Sequence, residues 1–132
     1  MPYLLDTNIV SDLVRNPKGK VAARVAAVGQ EEVFTSIIVA AELRYGAVRK
    51  KSPRLMAQIQ AVLGGAQILD LKPPADRAYA DLRATLDAQG TPISANDLFI
   101  AAHAVALGHI LVTDNEREFA RVPGLSVENW LR

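Results

Sequence analysis

Four acidic residues stand where ordinary surface charge is not expected. Asp6 directly follows the apolar run Tyr3-Leu4-Leu5, and Asp114 comes just after Ile110-Leu111-Val112. Glu42 is embedded in Ile37-Ile38-Val39-Ala40-Ala41-Glu42-Leu43, where an unpaired carboxylate is costly to bury. Asp97 opens the almost wholly apolar stretch Leu98 to Leu107, and a helix apolar all round is a buried one. Each has a plain structural alternative. Asp6 and Asp114 are good helix caps, Ser94 and Asp97 have the spacing of a capping box, and Glu42 can begin the polar face of a helix that continues to Arg49. The conjunction says more. Carboxylates gathered in one pocket raise one another's pKa, and a divalent hard cation relieves that repulsion. With no cysteine and two histidines in the chain, an all-oxygen ligand set selects Mg²⁺ or Mn²⁺ rather than Zn²⁺. Such ions hold phosphates and activate water, so the chemistry suggested is hydrolysis of a phosphodiester or phosphomonoester.

The elements that must position these acids follow from local signals. Asp6-Thr7-Asn8 caps a helix over Ile9 to Val14, and Asn16-Pro17-Lys18-Gly19 is a turn. Helices are expected over Val21–Val28, Ile38–Arg49 after Ser36, Pro53–Val62, Pro73 to about Ala88, Ala95–Leu107 and Glu116–Ala120. Strands are expected at Tyr3–Leu5, Val33–Thr35, Ile68–Leu69, Ile110–Val112 and Ser126–Val127. Short apolar strands alternating with helices imply an α/β/α sandwich around a parallel sheet of roughly four or five strands. In such sheets ligands bind beyond the carboxyl ends of the strands, which directs attention to Asp6, Ser36, Asp70 and Asp114.

The chain's 132 residues, half of them hydrophobic, fit one domain over 1–132 and exclude a disordered chain. The absence of cysteine excludes a disulfide scaffold, a thiolate zinc site and a cysteine nucleophile. Neither a signal peptide nor a membrane span is evident, so a cytoplasmic protein is expected. There is no GxGxxG, Walker A loop or GxSxG motif.

In detail the sequence resembles the PIN-domain ribonucleases, and among them the VapC toxins of VapBC toxin–antitoxin pairs. The resemblance rests on Leu4-Leu5-Asp6-Thr7-Asn8, on Ala41-Glu42-Leu43-Arg44-Tyr45-Gly46, on Ile93 to Ala104 around Ser94-Ala95-Asn96-Asp97, and on Leu111 to Phe119 with the ending Gly124 to Trp130. It covers nearly the whole chain and implies a PIN-like fold. It implies a Mg²⁺- or Mn²⁺-dependent endoribonuclease acting on structured RNA, often tRNA, through metal-activated water, leaving a 5′-phosphate and a 3′-hydroxyl. By similarity Asp6 and Asp97 are the principal metal ligands, and Glu42 assists through metal, water or proton transfer. Asp114 is favoured for the fourth acidic position, with Asn115 and Glu118 as the other candidates. Thr7, Ser36 and Asn96 are expected as accessory groups. The resemblance also implies a homodimer and a VapB antitoxin partner.

RNA needs cationic contacts. Arg44, Arg49, Lys50, Lys51 and Arg54 form a basic run, and Arg15, Lys18 and Lys20 another. Both can also be solvated helix ends; as phosphate contacts they would give salt-dependent, sequence-independent affinity. Three other readings compete. A haloacid-dehalogenase-like phosphatase also places an Asp after its first strand, but needs a second acid where this chain has Asn8. A flap-nuclease-like DNase shares the acidic site. A noncatalytic nucleic-acid or protein binding module would use the carboxylates only as caps.

Overall fold

The computed structural model describes residues 2–132. Five strands, β1 (Tyr3–Leu5), β2 (Val33–Ser36), β3 (Gln67–Leu69), β4 (Ile110–Val112) and β5 (Val127–Glu128), form one sheet. Its order is β3-β2-β1-β4-β5, and every neighbouring pair is parallel. Seven helices connect and cover it: α1 (Thr7–Arg15), α2 (Lys20–Val28), α3 (Ile37–Lys50), α4 (Pro53–Gly64), α5 (Ala75–Ala88), α6 (Ala95–Leu107) and α7 (Glu116–Phe119). The α/β class and the parallel sheet are as the alternation of apolar runs anticipates.

The sheet is narrow and its central strands are fully enclosed. Leu4, Leu111 and Val112 are buried with Ile9, Val39, Ile100 and Ala101 from the covering helices. Helix α6 is indeed a core helix, burying Leu98, Ile100, Ala101, Ala102, His103 and Ala104. The chain leaves β1 toward β2 and β3 on one side and returns to β4 and β5 on the other. The carboxyl ends of β1 and β4 therefore flank the topological switch point, where an open parallel sheet offers its crevice.

Most boundaries differ from the sequence expectation by one or two residues. Helix α5 begins at Ala75 rather than Pro73, because a residue before proline is disfavoured in the helical region and Pro73 precedes Pro74. By contrast Pro53 begins α4 as expected, with the Ser52 hydroxyl accepting from the Leu55 N–H at 3.1 Å. A short 3-10 turn at Gln30–Glu32 was not anticipated, and the last strand is Val127–Glu128 rather than Ser126–Val127. Its pairing begins at Ser126 all the same, since the Ser126 carbonyl accepts from the Leu111 N–H at 2.9 Å.

Candidate active site

Asp6 occupies the switch point. It caps α1, its side chain accepting the Thr7 N–H at 2.7 Å, and is only 4% exposed. The capping expected of it is thus observed. Its backbone N–H bonds to the Val112 carbonyl at 2.9 Å, and its second oxygen accepts the Thr113 hydroxyl at 2.7 Å. Burial pushes the Asp6 pKa up, the Thr113 and Thr7 hydrogen bonds oppose that, and the Glu118 charge adds to it.

Glu42 reaches the same place from the second turn of α3. The Thr7 hydroxyl donates to its Oε2 at 3.2 Å, so Thr7 ties Asp6 to Glu42 through its N–H on one side and its hydroxyl on the other. The other oxygen, Oε1, is buried with no hydrogen-bond partner among the described residues. The Glu42 pKa is raised, by burial first and by the nearby Asp6 charge after it, against the Thr7 bond.

Asp97 arrives from the first turn of α6. The Ser94 hydroxyl caps that helix by accepting the Asp97 N–H at 3.4 Å. The reciprocal bond of a capping box, to the Ser94 N–H, is made instead by Glu118 Oε1 at 3.2 Å. Asp97 is thereby left facing other acids. Its pKa is pushed up to about 7, by burial first and then by the Glu118 and Asp6 charges.

The fourth acid in this group is Glu118. Its Oε2 accepts the Asn115 amide at 2.6 Å, and its charge acts on both Asp6 and Asp97. Asp114, the residue favoured from the sequence, is turned elsewhere. It is exposed, its N–H donates to Asn8 Oδ1 at 3.1 Å, and its carboxylate accepts the Asn129 amide at 3.0 Å. Thr113 is spent on Asp6, the Asn129 amide holds Asp114 outward against the C-terminal segment, and the Ser94 N–H holds Glu118 inward. Asn115, with its N–H on the Thr113 hydroxyl at 3.0 Å, acts on the group by holding Glu118. The sequence signal for Glu118 was its place in the first turn after the strand, but the partnership with Ser94 is a long-range contact.

Among the accessory candidates, Ser36 follows Thr35, the register partner of Leu5, and so ends β2 level with Asp6. Its hydroxyl caps α3 by accepting the Ile38 N–H at 3.1 Å and meets His103 Nδ1 at 2.9 Å. Asn96 is exposed, and no hydrogen bond joins it to Asp97 among the described residues. Thr113, not singled out from the sequence, is fully buried and holds Asp6 directly. The basic run begins two residues after Glu42 and continues through the end of α3 to the start of α4. Arg44 donates to Gln60 Oε1 at 2.9 Å, and Arg49 and Lys50 form the last turn of α3. That turn lies roughly 10 Å along the helix axis from Glu42 at 1.5 Å per residue.

The donor set fits a hard divalent cation. All four groups are carboxylates, Glu42 Oε1 is an orphaned buried acceptor, and no ion pair with Lys or Arg neutralises any of the four among the described residues. No three acidic, histidine or cysteine side chains among the described residues form a ready-made cage. An ion would therefore draw together acids that are held near one another by separate helices.

Comparison with known proteins places this arrangement. A PIN-domain family model matches residues 3–125. The chain is 39% identical over 132 residues to Ribonuclease VapC2 of Haemophilus influenzae, covering 99% of both chains. It is 36% identical over 131 residues to the tRNA(fMet)-specific endonuclease VapC of Shigella flexneri, covering 98% of each. Among solved structures it superposes on VapBC2 from Rickettsia felis, bound to a DNA fragment from their promoter, with a TM-score of 0.91 and 34% identity over 98% of this chain and 99% of that one.

Proposed function

The chain belongs to the PIN-domain family, and within it to the VapC ribonucleases, and from that premise we propose that it is a divalent-metal-dependent endoribonuclease that hydrolyses structured RNA. The observation that carries the reading is the meeting of Asp6, Glu42, Asp97 and Glu118 at the switch point with no basic partner, which leaves Asp97 with a pKa of about 7. Carboxylates serving only as caps would have no reason to converge. Asp6 and Asp97 would hold Mg²⁺ or Mn²⁺, with Glu42 and Glu118 beside them. The ion, when bound, neutralises the scissile phosphate and lowers the pKa of water.

The chain's own groups do the positioning. Thr113 and Thr7 fix Asp6 from two directions, so its carboxylate cannot swing away when phosphate enters. Thr7 also holds Glu42 by Oε2, which leaves Oε1 free to accept the proton of an attacking water; a carboxylate with a raised pKa is the better base at neutral pH. Water in this role attacks phosphorus in line, so the ribose 2′-hydroxyl is not the nucleophile and the products carry a 5′-phosphate and a 3′-hydroxyl.

The relative named as a tRNA(fMet)-specific endonuclease supports tRNA as the substrate class. The VapBC2 complex supports a VapB-type antitoxin as the partner, and this chain has an apolar groove of about 630 Å³ between α1, α2, α4 and β2 that could take an apolar segment. A second copy is supported by α3, which exposes Ile37, Tyr45 and Val48 along one side. No described helix is long and apolar enough to cross a membrane.

The test is incubation of the purified chain with unfractionated tRNA in MgCl₂, MnCl₂ or EDTA, with end mapping of the fragments. Cleavage that needs the ion, leaves 5′-phosphates and disappears in Asp6→Asn is expected. Cyclic 2′,3′-phosphate ends, or cleavage that survives in EDTA or in Asp6→Asn, would overturn the reading.

A further inference from the structure

A second feature lies at the same edge of the sheet and is not used by the acids. The loop after β3 and the first turns of α5 and α6 enclose a cavity of about 370 Å³ lined by Lys72, Pro73, Asp76, Tyr79 and Phe99 among others. Its volume lies within the roughly 300–1,000 Å³ typical of small-molecule sites. Tyr79 and Phe99 stack on one another, centroids 4.5 Å apart and planes 19° from parallel. Arg83 lies 6.0 Å from the centre of the Tyr79 ring and donates to its hydroxyl at 3.0 Å.

The position of this cavity is fixed by register. Tyr79 lies one turn into α5 and Phe99 one turn into α6. Since the rings stack, the first turns of the two helices are in contact, at the end of α6 that carries Asp97. Phe99 is two residues beyond Asp97, a rise of about 3 Å along the axis, and their side chains diverge by roughly 200° around it. The cavity therefore flanks the acids across the first turn of α6 and is not part of them.

Its walls combine flat aromatic and proline surfaces with one cation, Lys72, and one carboxylate, Asp76, both exposed. A ligand suited to all of these has a flat π-face, N–H donors at its rim and an attached anion. We propose that this cavity is a nucleobase subsite. In it one unpaired base of the RNA substrate, a nucleotide or two from the scissile bond, stacks against the Tyr79–Phe99 pair, with Lys72 on its phosphate and Asp76 accepting from an amino group of the base. The inference rests on the ribonuclease reading for the identity of the ligand. Stacking makes such a subsite tolerant of sequence, while Asp76 favours bases that carry an exocyclic amine over uracil.

The experiment uses Phe99→Leu and Tyr79→Leu, which keep apolar bulk between α5 and α6 but remove the aromatic face, and Lys72→Ala. Two readouts are taken: steady-state cleavage of unfractionated tRNA with Mn²⁺, and equilibrium binding of a fluorescein-labelled single-stranded 10-mer RNA in EDTA. Each aromatic variant should weaken binding and raise KM by about tenfold, the loss of one base–aromatic stack. Its kcat and melting temperature should stay near those of the parent. Lys72→Ala should weaken binding and lower the salt slope by about one, and an oligo-U probe should bind less tightly than oligo-C. Unchanged binding and KM in folded aromatic variants would overturn the subsite. A loss confined to kcat, or one that tracks a fall in melting temperature, would do the same and assign the rings to helix packing. If the parent cleaves nothing yet the aromatic variants still lose affinity, the subsite stands and the hydrolase reading fails.

Discussion

Asp97→Asn should stabilise the metal-free protein while removing its activity. The unfolded chain holds this carboxyl near its ordinary value of 3.8, and the folded one near 7. Below about pH 4 the group is protonated in both states and costs nothing. Between the two values the folded state must take up a proton that the unfolded state lacks, and above 7 it must bear a charge among acids. Stability is therefore lost as pH rises through that window. At 1.36 kcal/mol per unit the full shift corresponds to about 4 kcal/mol. Two effects reduce it. The carboxylate is only partly buried, and charge terms open to solvent fall to about 1 kcal/mol or below. A negative charge in the first turn of α6 also gains roughly 0.3–1 kcal/mol from the helix dipole, which the variant forfeits. A net gain of about 0.5 kcal/mol remains, or about 2 °C in melting temperature for a domain of this size. The assay is thermal unfolding of parent and variant in EDTA from pH 4 to 8, repeated with MnCl₂. The gap should open between pH 4 and 7 and stay level above. Mn²⁺ should close or invert it, because an ion that binds only the folded parent stabilises the parent alone. A gap that is absent at pH 8, or the same at every pH, would refute the reasoning.

Comparing Glu118→Gln with Asp114→Asn identifies the fourth acid. The Glu118 variant should lose cleavage of tRNA at saturating Mn²⁺, and the Asp114 variant should cleave nearly as the parent does. Thr113→Val removes the hydroxyl that holds Asp6 at 2.7 Å, and titration calorimetry with Mn²⁺ should show roughly 10–100-fold weaker binding, as for other groups that orient metal ligands. His103 is buried, and burial followed by the His109 charge lowers its pKa below 6.5. The neutral ring's contribution to stability is thus complete above pH 6.5 and lost as pH falls through the folded value. Its NMR ring signals should accordingly stay in the neutral position at pH 6.5. Trp130→Ala should cost about 3–5 kcal/mol in urea unfolding, since the indole is 1% exposed, lies 5.0 Å from the Tyr3 ring and donates to Glu128 at 3.0 Å.

The sequence is legible wherever one element decides the outcome. Asp6 after Leu4-Leu5, Glu42 inside an apolar helix and Asp97 at the head of α6 are each placed by the strand or helix that carries them, and the parallel sheet follows from the alternation. The fourth acid was harder because its placement is not local. Asp114 and Glu118 both lie just after β4, and which of them turns inward depends on the Ser94 N–H, which captures Glu118, and on Asn129, which captures Asp114. Thr113 carries no local signal for a similar reason: its hydroxyl reaches Asp6 only once β1 and β4 are neighbours. The basic run begins two residues after Glu42 in sequence. A helix of 14 residues carries Arg49 and Lys50 away from Glu42.

The distribution of donors explains why the acids stay poised rather than collapsing onto local partners. Asp6 receives the Thr7 N–H and the Thr113 hydroxyl, and Glu118 receives the Ser94 N–H and the Asn115 amide. These bonds hold the two carboxylates in fixed rotamers. Glu42 is held by one oxygen only, with the other unserved, and the Asp97 pKa is pushed up to about 7. The unmet acceptor thus falls on α3 and a strongly perturbed carboxyl on α6. A cation arriving between them would supply what no side chain of the protein supplies. The net charge of +1 conceals this division. Setting these four acids aside leaves 10 of the 14 against 15 Lys and Arg, so the rest of the chain is at +5. On the proposed reading that remainder draws the RNA, and the ion is needed at the acids for hydrolysis rather than for holding the RNA. Binding of RNA and its cleavage should therefore separate cleanly on adding EDTA, with affinity retained and hydrolysis lost.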